Sequence, residues 1–193
     1  MRELTSLLHD IRACTICAAH LPHGPRPVLA AGSGARLVIA GQAPGRRVHE
    51  NGVPWQDPSG DRLREWLGLD HDTFYDPDQV ALIPTGFCWP GTGKNGDLPP
   101  RRECAATWHH RLMPLLTEVR LTIVIGQYAH AYHLGDRRKS NLTETVVAWR
   151  EYLPTHFPIP HPSPRNQRWL KVNPWFATES LPELRRRVSD ALD

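Results

Sequence analysis

The chain has 193 residues, a formal net charge of +3 and a hydrophobic content of 40%. This length suits one domain with a sizeable core, which we expect to span residues 1–193. No stretch approaches the roughly 20 apolar residues of a membrane-spanning helix, and the N-terminus lacks the long apolar segment of a secretory signal. We therefore expect a cytoplasmic protein without a membrane partner, and a monomer.

The N-terminal segment predicts a helix followed by a pair of cysteines. Leucines and isoleucine at helical spacing predict an amphipathic helix over residues 2–12. Cys14 and Cys17 follow it, and Cys88 and Cys104 come much later in the chain. If the two pairs meet in space, four thiolates suit either zinc or an iron–sulfur cluster. Otherwise they are simple buried or redox-active thiols, because a cytoplasmic protein rarely holds structural disulfides.

Four short apolar runs predict the strands of a sheet. They are ARLVIAG (35–41), QVALIPTGF (79–87), LTIVIG (121–126) and THFPIPHP (155–162), and helical patterns separate them. Strands that alternate with helices predict an α/β fold, here a three-layer α/β/α sandwich with a central, mostly parallel four-stranded sheet. Ligands of such sheets bind beyond the carboxyl ends of the strands. We therefore expect a site formed by residues 41–55, 84–96 and 161–166.

The loop after the first predicted strand reads GQAPG (41–45). Gly41 and Gly45 allow close backbone approach, and Pro44 stiffens the turn. Backbone N–H groups in such a turn suit an anionic or carbonyl oxygen. The alternative is an ordinary strand-to-helix turn.

Farther along the same loop, the sequence NGVPWQDPSG places an aromatic and an acidic residue just before a predicted helix. Trp55 is either a core anchor or a flat platform on which a base stacks. Asp57 precedes Pro58, a pattern typical of a helix N-cap. The same acid can also serve as a catalytic group.

The fourth predicted strand leads into HPSPRN (161–166). Pro162 and Pro164 make this turn stiff, so it holds His161 at the end of a strand where an imidazole can meet a ligand. The alternative is an ordinary surface corner.

Taken in order, these motifs resemble those of one group of enzymes. The uracil-DNA glycosylase superfamily has a G-x-x-P-G loop after its first strand, then an aromatic residue, and late in the chain a His-Pro motif. Here these are GQAPG, Trp55 and HPSPRN, and the resemblance spans roughly residues 12–190. It implies a DNA repair enzyme that flips uracil out of DNA and hydrolyses its N-glycosidic bond, leaving an abasic site for base excision repair.

Two branches of that superfamily are similar to different parts of the chain. The four cysteines resemble those of the iron–sulfur branch (family four), which implies that Cys14, Cys17, Cys88 and Cys104 hold a [4Fe–4S] cluster, with zinc as the alternative. The tail HPSPRNQRW (161–169) resembles the single-strand-selective (SMUG-type) branch instead.

The resemblance implies roles for individual residues. His161 would donate a hydrogen bond to uracil O2, assisted by a backbone N–H near Gln42, and Trp55 would stack on the flipped base. The first motif departs from the family pattern, because Ala43 stands where other branches have an acid or asparagine. Gln42 stands where the iron–sulfur branch often has glutamate.

A further branch of the superfamily uses an aspartate just downstream of the first motif. QDPSG (56–60) resembles that stretch, which implies that Asp57 stabilises the positively charged sugar or orients the attacking water. His49, in the same loop, is a reserve catalytic residue, with a surface histidine as its alternative.

The resemblance also implies a set of residues that bind uracil-containing DNA, single- or double-stranded. They are Gly41, Ala43, Trp55, Thr85, Ser163, Arg165 and Asn166. Arg165, Asn166 and Trp169 would fill the gap left by the flipped base or hold the flanking phosphates. The alternatives are a glycosylase for another deaminated base such as hypoxanthine, a uracil-DNA binding protein with little or no turnover, and a metal-stabilised scaffold.

Overall fold

The protein is described by a computed structural model that covers residues 2–94 and 96–193. In that part of the chain the strands are β1 (Leu37–Ala40), β2 (Val80–Leu82), β3 (Thr92–Gly93), β4 (Gly96–Asp97), β5 (Leu121–Ile125) and β6 (His156–Ile159). The helices are α1 (Arg2–Arg12), α2 (Arg46–Asn51), α3 (Pro58–Leu67), α4 (His71–Tyr75), α5 (Arg102–Leu112), α6 (Gly126–Leu134), α7 (Leu142–Val147), α8 (Gln167–Val172) and α9 (Leu181–Leu192). Short 3-10 turns lie at Ala18–His20, Met113–Leu115, Gly135–Arg137, Trp149–Tyr152 and Pro164–Asn166, and a π turn at Phe176–Ser180 precedes α9.

The central sheet has four strands in the order β2-β1-β5-β6, and all of them are parallel. Leu37 of β1 pairs with Val80 on one side and with Leu121 on the other. The chain passes from β1 to β2 on one side and later crosses to β5 on the other side of β1. The strand order therefore reverses between β1 and β5, where a crevice forms at their carboxyl ends. The predicted parallel α/β fold is confirmed.

Both faces of the sheet are covered by helices, because successive side chains of a strand point to opposite faces. Leu37 and Ile39 of β1 belong to the apolar cluster that α3 and α9 complete. Val38 and Ala40 belong to a second cluster, which α1 and α5 complete. This arrangement corresponds to the three layers that the sequence predicts.

The second predicted strand has different bounds in the structure. The second strand was expected over 79–87 but spans only Val80–Leu82, because Pro84 has no N–H to continue a ladder. Helix α5 ends at Leu112, since Pro114 turns the chain into a 3-10 turn. The small hairpin of β3 and β4 was not predicted.

Within the described residues, no helix has both the length and the apolar character needed to cross a membrane.

Candidate active site

Three predicted loops meet at the carboxyl edge of the sheet, which positions the site. Gly41 follows β1, Pro84 follows β2 and His161 follows β6. A Cβ added at Gly126, directly after β5, would lie 3.8 Å from the Cβ of His161, and Gly126 has a φ of +79°. This glycine therefore lets β5 turn into α6 beside the histidine.

The segment after β2 supports the GQAPG loop through three hydrogen bonds. The N–H and the hydroxyl of Thr85 both donate to the Gly41 carbonyl, at 2.8 and 2.9 Å, and the N–H of Gly86 donates to the Gln42 carbonyl at 2.9 Å. Thr85 is only 6% exposed. The structure thus places Thr85, predicted as a substrate-binding residue, where its hydroxyl supports the loop.

Trp55 has a backbone conformation that bulky residues rarely adopt, with a φ of +58°. Its ring packs against Gly41, where an added Cβ would lie 2.9 Å from the ring atom Cζ2. A Cβ at Gly60 would lie 1.7 Å from the Trp55 carbonyl oxygen. Since Gly41 and Gly60 have no Cβ, the strained tryptophan fits between them. Backbone strain of this kind is concentrated at functional sites.

His161 lies beside that tryptophan, with 5.6 Å between the ring centroids and 30° between the ring planes. Its Nδ1 accepts a hydrogen bond from the Ser163 N–H at 3.1 Å, and its carbonyl accepts one from Asn166 Nδ2 at 2.8 Å. Arg62 of α3 donates to the Ser163 carbonyl at 3.3 Å. The HPSPRN turn is thus a tightly bonded support for the imidazole.

The hydrogen bond from Ser163 determines which nitrogen of His161 carries the proton. An Nδ1 that accepts must present a lone pair, so the proton of the neutral ring is on Nε2. Burial lowers the pKa of His161, and the negative charges of Asp57 and Asp97 oppose this lowering only in part. At neutral pH the residue is a neutral imidazole whose Nε2–H has no acceptor among residues 2–94 and 96–193.

Asp57 has the position of an N-cap, as its sequence context predicts. Its Oδ1 accepts a hydrogen bond from the Gly60 N–H at 2.9 Å at the start of α3. The residue is half-buried, and its charge reaches His161. Asp57 therefore caps α3 and also lies where its charge acts on the candidate catalytic histidine.

Comparison with known protein families adds to this geometry. The family model described as the uracil DNA glycosylase superfamily matches residues 30–185, well over half of the chain. The chain belongs to the uracil-DNA glycosylase superfamily. This membership indicates a DNA glycosylase that acts on DNA in base excision repair. GQAPG, Trp55, Asp57 and HPSPRN all lie inside the matched range, whereas Cys14 and Cys17 lie before it.

His49, the reserve catalytic residue, contacts a different group of side chains. His49 contacts His23 and Trp89, with ring centroids at 6.2 and 5.6 Å, and no described contact joins it to Trp55 or His161. Its Nδ1 is buried without a hydrogen-bond partner in the described part of the chain, and burial, more than the nearby Arg26, lowers its pKa.

The remaining DNA-binding candidates divide between the surface and the interior. Arg165 is exposed, and its guanidinium lies 3.2 Å from where a Cβ on Gly96 would be. Ala43 is half-buried in the GQAPG loop. Trp169 was expected to help fill the gap left by the flipped base, but its side chain is already engaged in the protein. Its indole N–H donates to the Thr143 hydroxyl at 2.8 Å, and its ring packs against the apolar core.

Sequence reasoning missed Asp97, on β4 of the small hairpin. This carboxylate is one of the two whose charges act on His161. The predicted site loop ended at Gly96, one residue too early. The sequence signal that could have indicated a strand carrying Asp97 is the Asn95–Gly96 dipeptide, a common hairpin pattern.

The four cysteines, distant in sequence, line one cleft on the α1 and α5 side of the sheet. Cys14, Cys17, Cys88 and Cys104 surround about 420 Å³ of empty space, part of it open to solvent. All four thiols are free, and the Phe87 N–H donates to Cys104 Sγ at 3.3 Å. Burial raises the pKa of Cys88 to about 11 and that of Cys104 to about 12.

Four thiols line this cleft, and a backbone N–H donates to one of the sulfurs. Proteins hold iron–sulfur clusters with cysteine thiolates and tune them with hydrogen bonds to the sulfurs. Among residues 2–94 and 96–193, no group of three or more His, Cys, Asp and Glu lies close enough together to bind a single metal ion.

Proposed function

We propose that this protein excises uracil from DNA by flipping the nucleotide out of the helix and hydrolysing its N-glycosidic bond. One observation carries the proposal: His161 is held as a neutral Nε2–H donor beside Trp55 at the carboxyl edge of the sheet. A fixed donor next to a flat aromatic ring suits a planar base that leaves as an anion. Superfamily membership supports a glycosylase function for this site.

The proposed reaction begins when uracil leaves the base stack, at a cost of a few kcal/mol that is smallest for mispaired or single-stranded bases. Trp55 offers the surface on which the flipped ring stacks. The glycosidic bond then lengthens, so negative charge develops on uracil and positive charge on the sugar. The Nε2–H of His161 donates to uracil O2, where it stabilises this charge more in the transition state than in the ground state.

Asp57 is the proposed counter-charge for the sugar. It is half-buried, and its Oδ1 is already bonded to the Gly60 N–H, which orients the carboxylate. A fixed carboxylate near the deoxyribose stabilises its positive charge without any change in geometry. This role replaces that of the acid missing from the first motif, where Ala43 stands.

The first experiment measures base loss from labelled oligonucleotides that contain one uracil or one hypoxanthine, both single- and double-stranded. Alkali cleaves the strand wherever a base has been removed. We expect breaks at uracil with the wild-type chain. Breaks only at hypoxanthine would change the substrate, whereas a retained protein–DNA complex without breaks would favour a uracil-DNA binding protein.

The matched variant is His161→Ala, with His71→Ala, an exposed histidine on α4, as its control. Loss of one donor to a developing anion typically slows the reaction by about 100- to 1,000-fold. We expect that loss in His161→Ala with DNA affinity almost unchanged, and no loss in the control. Equal excision rates in both variants would contradict the role of His161.

Asp57 requires two variants because it is also a helix cap. Asparagine caps about as well as aspartate, whereas alanine loses about 1 kcal/mol of stability. We expect Asp57→Asn to keep the wild-type melting temperature but lose excision, and Asp57→Ala to lose both. An Asp57→Asn variant with full activity would leave the residue with only its structural role.

We also propose that Cys14, Cys17, Cys88 and Cys104 hold a [4Fe–4S] cluster, which would order the surrounding loops rather than take part in excision. The proposal is supported by the single cleft that the four thiols share. Iron and sulfide analysis of protein purified without air tests it. A colourless protein that contains zinc would overturn the cluster and favour the zinc alternative.

A further inference from the structure

The hairpin of β3 and β4 places a second carboxylate, that of Asp97, beside the GQAPG loop of the candidate site. Oδ1 of Asp97 accepts hydrogen bonds from the indole N–H of Trp89 at 3.1 Å and from the Thr92 hydroxyl at 3.4 Å. Oδ2 has no donor among residues 2–94 and 96–193. A Cβ at Gly45 would lie 3.5 Å from Oδ2. One oxygen is therefore tied to the protein while the other faces the GQAPG loop.

The support behind Asp97 is rigid. Trp89 is 3% exposed, and His23 stacks on it with 4.3 Å between ring centroids and 11° between planes. A buried indole that donates to Oδ1 determines the direction in which the carboxylate points. A side chain held in this way is prepared for a specific geometry, unlike an ordinary surface aspartate.

Contacts on both sides hold the hairpin between the two site motifs. On the first side, Gln42 Nε2 donates to the Leu98 carbonyl at 3.0 Å, directly after β4. On the second side, the Arg165 guanidinium lies against Gly96. Asp97 therefore lies between GQAPG and HPSPRN, and its charge reaches His161.

We propose that Asp97 is the catalytic base of this site, and that its Oδ2 binds the water that attacks the sugar. This role rests on the proposed excision of uracil. As the bond between C1′ and N1 breaks and its electron pair leaves with uracil, the water oxygen bonds to C1′ and its proton passes to Oδ2 and on to solvent. Solvent then protonates the uracil anion.

The two carboxylates differ in ways that suit this division of roles. Asp57 is half-buried, whereas Asp97 is exposed to solvent. A carboxylate at the mouth of a site for a polyanion repels the phosphates of DNA. We therefore expect Asp97 to weaken DNA binding, a cost that a role in the reaction would offset.

The test compares Asp97→Asn in the full chain with Asp136→Asn, which removes one exposed carboxylate from the turn after α6. Single-turnover excision of uracil and affinity for an undamaged oligonucleotide of the same sequence are measured for each. Loss of a general base slows a reaction by about 100- to 10,000-fold. We expect Asp97→Asn to be at least about 100-fold slower yet to bind DNA at least as tightly as wild type, while Asp136→Asn excises at the wild-type rate.

Added azide separates a base from a merely electrostatic group, because azide bonds to C1′ without giving up a proton. We expect azide to restore base loss in Asp97→Asn but not in Asp57→Asn, with the azide bonded to the sugar in the product. Slow excision without rescue, or an unchanged rate, would overturn the role of Asp97 while the excision activity stands. A wild-type chain that removes no base would overturn the proposed function and this role with it.

Discussion

His109 and His130 are buried as neutral imidazoles near the carboxyl ends of the strands, and we expect them to make the fold sensitive to acid. Their exposed fractions are 1% and 2%. His109 Nε2–H donates to the Pro84 carbonyl at 3.1 Å, and His130 Nε2–H is shared by the Val124 and Ile159 carbonyls at 3.0 and 3.1 Å. Because burial penalises the charged ring, the pKa of each falls to about 4.

The sign of the effect follows from comparison with the unfolded chain, where a histidine has a pKa of about 6.5. As the pH falls below that value, the unfolded state binds protons before the folded state does. The stability due to these neutral rings is therefore complete above about pH 6.5 and is lost as the pH falls toward about 4. At pH 5 the loss is about 2 kcal/mol per histidine, since one pKa unit corresponds to about 1.4 kcal/mol.

Urea unfolding at pH 7 and pH 5 measures this loss. His109→Gln and His130→Gln keep an N–H donor but cannot titrate, so the free energy of unfolding should fall by about 2 kcal/mol less than in wild type. His110→Gln, an exposed neighbour on α5, is the matched control and should retain the full wild-type loss. If both buried-site variants lose as much stability as wild type, the reasoning is wrong.

Three further substitutions test the framework of the site. Gly60→Ala forces a Cβ to within 1.7 Å of the Trp55 carbonyl oxygen, so we expect a loss of about 1–3 kcal/mol or more in thermal unfolding, and a wild-type melting temperature would contradict that geometry. Thr85→Val removes the 2.9 Å hydrogen bond to the Gly41 carbonyl and should cost about 1 kcal/mol by the same measurement. Ser163→Pro suits the φ of −54° but removes the N–H that donates to His161, so excision should slow by about tenfold, whereas Ser163→Ala keeps that N–H and should slow excision less.

The layout of the fold and the location of the site could both be predicted from local sequence patterns. Short apolar runs separated by helical patterns predicted the parallel sheet. A strand that is covered on both faces is apolar along its whole length, whereas a strand with one solvent-exposed face alternates apolar and polar residues. The glycines and prolines of GQAPG and HPSPRN marked the turns after two of those strands. Since the carboxyl ends of parallel strands share one edge, the loops that follow them had to meet there.

The conformations and contacts of the residues in those loops could not be predicted from local patterns. The tautomer of His161 depends on one backbone N–H, and the conformation of Trp55 depends on two glycines that lie on different sides of it. The convergence of Cys14 with Cys104 depends on how α1 and α5 pack on the sheet. The orientation of the Asp97 carboxylate depends on its hydrogen bond from Trp89, a residue outside the β3–β4 hairpin. Such features arise from contacts between residues far apart in the chain, whereas a local sequence pattern reports only the conformation of its own segment.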